Sequence, residues 1–315
     1  MKPLDIIELK VGDDGEIALS RTIMPGSSAA IGSFDGVHLG HARVIEQATR
    51  RDGRHMVILF DPHPHAFFRP DSEPFRLSRL EQQAEAFADL GVDQAVVIRF
   101  DGNLAGMSPE DFARKVLKDA LGITFIGAGF DFNFGARGAG KAADLIAFGE
   151  KYGFDVGILD CQTGEDGGKL SSTAVREALT RGDVQAAAAI LGRPYSVLGE
   201  VIHGAKQGRQ IGFPTLNIAL GDYQRPRYGI YVTRTRLPDG RVIDGVSNIG
   251  IRPTVGGDIE LLETYLFDFS GDLYGQTVET QLLDFIRPEA KFDSFDDLKV
   301  EIARDVDKAR AWFAR

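Results

Sequence analysis

Cysteine is almost missing: Cys161 is the only one in 315 residues, beside a single tryptophan. A lone thiol closes no intramolecular disulfide and builds no cysteine-rich zinc knuckle, so a reducing, cytoplasmic compartment is the simplest expectation. No run of about 18 apolar residues offers a membrane span. The opening residues MKPLDIIELKVGDDG are acidic early and lack the apolar segment of a secretory signal. Basic excess is missing too: the formal net charge of −10 repels a phosphate backbone and argues against nucleic acid as a partner. Local basic clusters around a small anion stay open. Internal repeats and low-complexity tracts are also lacking. What is present, 43% hydrophobic and 26% charged residues, is an ordinary globular mixture. The length is roughly that of two domains, each able to bury its own core.

The chain changes character near residue 190. Before it, the apolar runs Ala29 to Ile31, Met56 to Phe60, Ala95 to Ile98, Thr124 to Ile126 and Val156 to Leu159 alternate with helix-like stretches at 41–51, 79–90 and 109–121. Continuous apolar strands spaced by helices predict a parallel sheet covered on both faces. Ser108 followed by Pro109 and Asp111 predicts a capped helix start. Beyond residue 190 the period falls to two, over 196–203, 228–236, 241–249, 260–269 and 277–286, with a tight turn at Pro238-Asp239-Gly240. This predicts a small antiparallel β-barrel. A terminal helix follows a Ser294/Asp297 capping pair, with Phe295, Leu298, Ile302, Val306 and Ala309 on one face against the barrel. The fold class is therefore α/β plus β.

Three clusters carry chemistry. The first is HLGH at residues 38 to 41, after the strand ending at Ile31 and the turn Gly32-Ser33-Phe34-Asp35-Gly36. Strand carboxyl ends beside helix N-termini attract phosphate, and His38 and His41, three apart, can both donate to phosphate oxygens as pyrophosphate leaves. As an isolated HxxH the pair also reads as two surface histidines; it lacks the glutamate of a zincin. His63 and His65 lie past another strand end, where Pro62 and Pro64 stiffen a loop; HxxH with HxH is not diagnostic of zinc. The second cluster is Leu170 to Arg176, LSSTAVR, where Ser171, Ser172 and Thr173 at a helix start serve as caps or bind an anion that Arg176 can also reach. The third is GRQIGFPTLN at residues 208 to 217. Thr215 and Asn217, two apart on an extended segment, point the same way and can hold Mg²⁺ with nucleotide phosphates, although barrel turns alone would explain the glycines. GARGAGKA at 135 to 142 falls short of a Walker loop, since Ala142 stands where a Mg²⁺-binding hydroxyl is required.

GSFDGVHLGH, FDPHP, GFDFNFG and SSTAVR, in this order over about residues 15 to 185, resemble the bacterial adenylyltransferase module that makes FAD from FMN, an HxGH nucleotidyltransferase of Rossmann-like fold. The resemblance implies that Gly32, Phe34, His38, His41, His63, Asp131, Asn133, Ser171, Ser172, Thr173 and Arg176 serve ATP and flavin. His38, His41 and Arg176 would act on the reacting phosphates. From about residue 187 onward, GEVIHG, GRQIGFPTLN, GVSNIGIRPT, Glu263 in ETYLFDF and DLYG resemble riboflavin kinase. There the resemblance implies Mg²⁺ and ATP at Thr215 and Asn217 and a general base at Glu263. Gly204, Gly208, Arg209, Gly212, Pro214, Asn248 and Arg252 would line the nucleotide and flavin. Leu216 and Tyr265 depart from the usual pattern and are expected to face away from the reacting atoms. The implied division is 1–186, FMN adenylyltransferase, and 187–315, riboflavin kinase. Together they would convert riboflavin to FMN and FMN to FAD. The rivals are a chain with one live activity, or a flavin and nucleotide sensor that does not turn over. Weak or transient self-association is left open, and the polar loop from Glu165 to Lys169 carries no assigned role.

Overall fold

The computed structural model describes residues 4–23, 25–164, 167–204, 212–254, 257–292 and 294–315. Packing divides the chain into two units, one of residues up to 73 with 80–170, the other of 74–79 with 171–315.

In the first unit, apolar residues alternate along β1 (Asp5–Val11), so Ile7, Leu9 and Val11 are buried, and β2 (Ile17–Leu19) turns back against it. The five apolar runs form β3 (Ser27–Ile31), β4 (His55–Asp61), β5 (Gln94–Arg99), β6 (Ile123–Gly129) and, after the small hairpin β7 (Asn133–Phe134) and β8 (Gly140–Lys141), β9 (Asp155–Leu159). The seven strands lie in the order β2-β1-β5-β4-β3-β6-β9, parallel throughout except for β2. Continuous apolarity follows from burial on both faces: Met56 and Ile58 enter one core, Val57 and Leu59 the other. Helices α1 (Leu39–Thr49), α2 (Pro64–Phe68), α3 (Leu80–Asp89), α4 (Gly102–Gly106) and α5 (Pro109–Asp111) connect the strands, with α6 (Ala142–Tyr152) before β9. The Ser108 hydroxyl caps α5 by accepting from Asp111 N–H at 3.0 Å. Residues 112–120 then open into a π-helix, whose wider turn shows in Leu121 N–H donating to the Val116 carbonyl. From β3 the chain fills one side of the sheet with β4 and β5, then the other with β6 and β9. The carboxyl ends of β3 and β6 therefore flank the switch point where such sheets bind ligands.

In the second unit, α7 (Ser172–Arg181) and α8 (Val184–Leu191) precede β10 (Tyr195–Glu200), β11 (Thr215–Ala219), β12 (Gly229–Arg236), β13 (Val242–Thr254), β14 (Gly257–Leu266) and β15 (Thr277–Pro288). All neighbours in the order β10-β15-β12-β13-β14-β11 are antiparallel. Among the described residues the edge strands meet through a single bridge, Ile202 to Asn217, so the expected barrel is a curled sheet closing at one point. Its concave core joins Val197, Ile218, Tyr231, Ile249 and Leu262 to Val175, Leu179, Ala187 and Leu191 of α7 and α8, and to Leu77. Each such valine, leucine or isoleucine contributes about 1.5–3 kcal/mol by leaving water. This burial keeps both helices with the sheet and draws the packing boundary to residue 170. The opposite face meets the terminal helix (Phe295–Phe313), capped by Ser294, through Val232, Val246, Phe267, Val306 and Ala309. Phe295, expected on that apolar face, is 57% exposed because it stands at the helix start, before the part that reaches the sheet. Asp305, buried on this helix, pairs with Arg287 of β15 through contacts of 2.6 to 3.1 Å.

Candidate functional site

At the carboxyl end of β3, the turn leading to α1 holds Phe34, Gly36 and Val37 at positive φ of 50°, 83° and 40°. A β-branched residue in that region is strained, and strain of this kind concentrates where a ligand must be met. His38 caps α1: its Nδ1 accepts from His41 N–H at 3.2 Å. That bond leaves the proton of the neutral ring on Nε2, making it a donor. The two imidazoles stack with centroids 3.6 Å apart, and Phe34 supports His41 edge-on at 5.3 Å. Phe34 is itself buried, pressed between His41, Phe87 and Gly32. Gly40, the small residue inside HLGH, is required by close approach: a Cβ there would meet the Leu170 carbonyl at 2.9 Å and the His38 ring at 3.0 Å.

Asp131 and Asn133 follow the carboxyl end of β6. Asn133 Nδ2 donates to the Asp131 carbonyl, and Lys141 Nζ donates to Asn133 Oδ1 at 2.7 Å and to the Gly138 carbonyl. Lys141 is thus tied into its own hairpin, and GARGAGKA enters α6 from that hairpin and not from a strand of the seven-stranded sheet. His63 caps α2 by accepting from His65 N–H at 3.1 Å, beyond β4. Among the described residues no group of three or more His, Cys, Asp or Glu side chains could hold a metal ion.

Ser171, Ser172, Thr173 and Arg176 belong to the second unit. Ser171 is the N-cap of α7, its hydroxyl accepting from Ala174 N–H at 3.2 Å. Ser172 and Thr173 fill the first turn. Arg176 Nε donates to the Phe75 carbonyl at 2.9 Å, and its guanidinium lies 5.4 Å from the Phe75 ring centre. Phe75 lies outside the motifs read from the sequence, since nothing local links residue 75 to residue 176.

The remaining residues gather on the sheet of the second unit. Asn217 on β11 stands opposite Glu263 on β14, which stands opposite Asn248 on β13. Direct partners share a face, so the three form a row across adjacent strands. Thr215 and Arg252 join that face by the two-residue repeat along their strands. Asn217 Oδ1 is buried and meets no donor among the described residues. Gly204 lies directly against this side chain. With Thr215 and Glu263 nearby, these are hard oxygen donors of the type that suits Mg²⁺. Burial pushes the Glu263 carboxyl above its ordinary value; the Glu289 charge adds to the rise and Arg252 opposes it. Tyr265 corrects an expectation: paired opposite Thr215, it shares the face of Glu263 and packs edge-on against Phe213 at 5.3 Å. Leu216 does face away, into the concave core. Gly212 and Pro214 are exposed just before β11, whereas Gly208, Arg209 and the acidic pair Glu165 and Asp166 lie outside the described residues.

The sequence matches the FAD synthetase family over residues 20–174 and the riboflavin kinase family over residues 191–313. It is 41% identical over 300 residues to the bifunctional riboflavin kinase/FMN adenylyltransferase of Haemophilus influenzae, spanning 92% of this chain and 96% of that one. It is 40% identical over 301 residues to the Escherichia coli K12 protein of the same description, spanning 94% and 95%. A solved structure described as a macrolide-efflux protein from Streptococcus pneumoniae superposes with a TM-score of 0.82 at 29% identity, over 97% of this chain and 99% of that one. No helix among the described residues here is long and apolar enough to cross a membrane.

Proposed function

The chain belongs to the bifunctional riboflavin kinase/FMN adenylyltransferase family, and from that premise we propose that it phosphorylates riboflavin with ATP to FMN, then adenylylates FMN with a second ATP to FAD and pyrophosphate. The observation that carries this reading is the presence of two different phosphate-handling sets on separately packed cores: the His38–His41 stack after β3, and the Asn217–Glu263–Asn248 row. We assign the first reaction in the pathway to residues 187–315 and the second to residues 1–186.

In the kinase step, Glu263 accepts the proton of the ribityl hydroxyl as that oxygen attacks the γ-phosphorus. Burial keeps its carboxylate short of hydration, which strengthens its hold on the hydroxyl. Thr215 and Asn217 would hold Mg²⁺, which when bound neutralises charge on the nucleotide phosphates. Arg252 adds a fixed positive charge on the same face; Gly204, Gly208 and Gly212 are assigned to close approach of the nucleotide to the backbone, and Arg209 and Pro214 to binding nucleotide or flavin. In the adenylyl step, the FMN phosphate attacks the α-phosphorus of ATP and pyrophosphate leaves. His38 donates from Nε2 to oxygens that gain charge, and His41, held by Phe34, is placed to do the same. Ser171, Ser172, Thr173 and Arg176 are assigned to the same step as phosphate holders, with His63, Asp131, Asn133, Gly32 and Phe34 shaping the flavin and nucleotide pockets. Catalysis in both steps is positioning and charge stabilisation, without a covalent enzyme intermediate.

The test is chromatographic separation of riboflavin, FMN and FAD after incubation with ATP and Mg²⁺. Glu263→Ala should abolish FMN formation and leave adenylylation of supplied FMN intact. His38→Ala or Arg176→Ala should do the reverse, by on the order of 10²-fold. One substitution stopping both reactions in a folded protein would overturn the two-site reading; binding of ATP and flavin without product would make it a sensor. We further propose a cytoplasmic protein, consistent with its exposed free thiol at Cys161, that engages no nucleic acid and self-associates weakly at most.

A further inference from the structure

Glu289, just past β15, belongs to none of the motifs that carry the family resemblance, yet it reaches the kinase row. Asn248 Nδ2 donates to Glu289 Oε1 at 3.3 Å. Gly250, two residues farther along β13 and on the face of Asn248, leaves the room for this contact, since a Cβ at that position would collide with the Glu289 carboxylate. The carboxylate therefore sits in a notch made by a missing side chain. Asn248 Oδ1 is buried and meets no donor among the described residues.

A carboxylate accepts hydrogen bonds and cannot donate them, so it can hold Asn248 by its NH₂ end alone. Fixing that end turns the amide oxygen away from Glu289, as an acceptor beside Glu263. We propose that Glu289 is a positioning residue of the kinase site, orienting the Asn248 amide to accept from a hydroxyl of the ribityl chain of riboflavin. Phosphate oxygens bring no proton to such an acceptor, whereas a polyol does. The metal is the other taker of an amide oxygen, but Asn248 and Asn217 lie on strands two spacings of about 4.8 Å apart. Ligand oxygens around one Mg²⁺ lie within about 4.2 Å of each other. The row thus splits its work, with the cation on the Asn217 side of Glu263 and the polyol on the Asn248 side.

This rests on the reading of Glu263 as the kinase base, and the experiment separates the two. Steady-state kinetics are measured on the full chain, with adenylylation of supplied FMN as a built-in control for folding. Glu289→Ala should raise KM for riboflavin about tenfold. It should leave KM for ATP, the Mg²⁺ dependence and adenylylation unchanged. Gly250→Ala, which fills the notch, should reproduce this pattern, and Glu289→Gln, which keeps an acceptor, should recover part of the loss. Added to Asn248→Ala, Glu289→Ala should raise KM for riboflavin no further, because its hold on the polyol acts through that amide, while its charge on Glu263 shows in the pH profile. Additive losses, an unchanged riboflavin KM, or an effect on Mg²⁺ dependence instead would overturn the assignment. If Glu263→Ala still phosphorylates riboflavin, the site reading itself fails; if it does not, and Glu289→Ala leaves riboflavin KM untouched, this inference alone fails.

Discussion

Glu263 is set against its own surroundings. Burial favours the neutral acid, Glu289 adds like charge, and Arg252 offsets part of the rise above the ordinary value of 4.5. The carboxylate is the working form of a base, so kinase kcat/KM for riboflavin should fall on acidification at a pH above the ordinary glutamate range. Arg252→Ala, which removes the opposing charge, should move that limb to still higher pH. A pH–rate profile checks both; a limb that moves down in the variant would sink the account. The same shift has a consequence for folding, because a carboxyl raised in the folded state favours folding at pH below its unfolded value. That contribution is lost as pH rises through the raised one. Glu263 was legible in the sequence through the motif around it, and Tyr265, two residues on along the same strand, shares its face by the strand repeat alone, the rule already applied to Thr215 and Asn217. What register adds is its partner, Thr215 across the sheet.

At the scale of elements, the terminal helix is held by Asp305 and Glu301, which both pair with Arg287, and by a short apolar seam. Asp305 accepts one hydrogen bond from Arg287 Nε–H, shared between its two oxygens, and one from Nη2, so replacing the acid leaves the mostly buried guanidinium the longer Glu301 contact at 3.6 Å and the Pro288 carbonyl. Asp305→Ala should cost about 1.5–3 kcal/mol. The single tryptophan, Trp312, packs at the end of this same helix, so urea unfolding followed by its fluorescence reports on this unit directly. An unchanged midpoint would show that the apolar contacts alone hold the helix. Five of the six parallel strands were readable because burial on both faces leaves unbroken apolar runs. β1 and β2 escaped because only unbroken apolar runs were read as strands in this half, whereas β1, second from the edge beside β2, buries alternate residues. Phe295 was misassigned to the buried face because periodicity gives a direction around a helix and not how far along it the partner extends.

For the whole molecule, division by chemistry and division by packing differ. The SSTAVR segment belongs by motif to the adenylyl step, yet α7 buries Val175 and Leu179 in the core of the second unit, together with Leu77 from far earlier in the chain. Motifs are local in sequence, whereas this core is assembled from pieces that no local pattern connects, and so is the Glu289 notch, where residues 248, 250 and 289 meet. What each core does retain whole is the group proposed to serve its reaction: His38 sits on one and Glu263 on the other. The two steps should therefore be separable between molecules. A mixture of Glu263→Ala and His38→Ala proteins should make FAD from riboflavin, although neither makes it alone. FMN must cross solution between them, so FAD should appear after a lag that shortens as total protein is raised. Time courses at several concentrations check this. A mixture that accumulates FMN and never forms FAD would mean that FMN must be handed over within one chain, and that the order of reactions is enforced by the molecule and not by mass action.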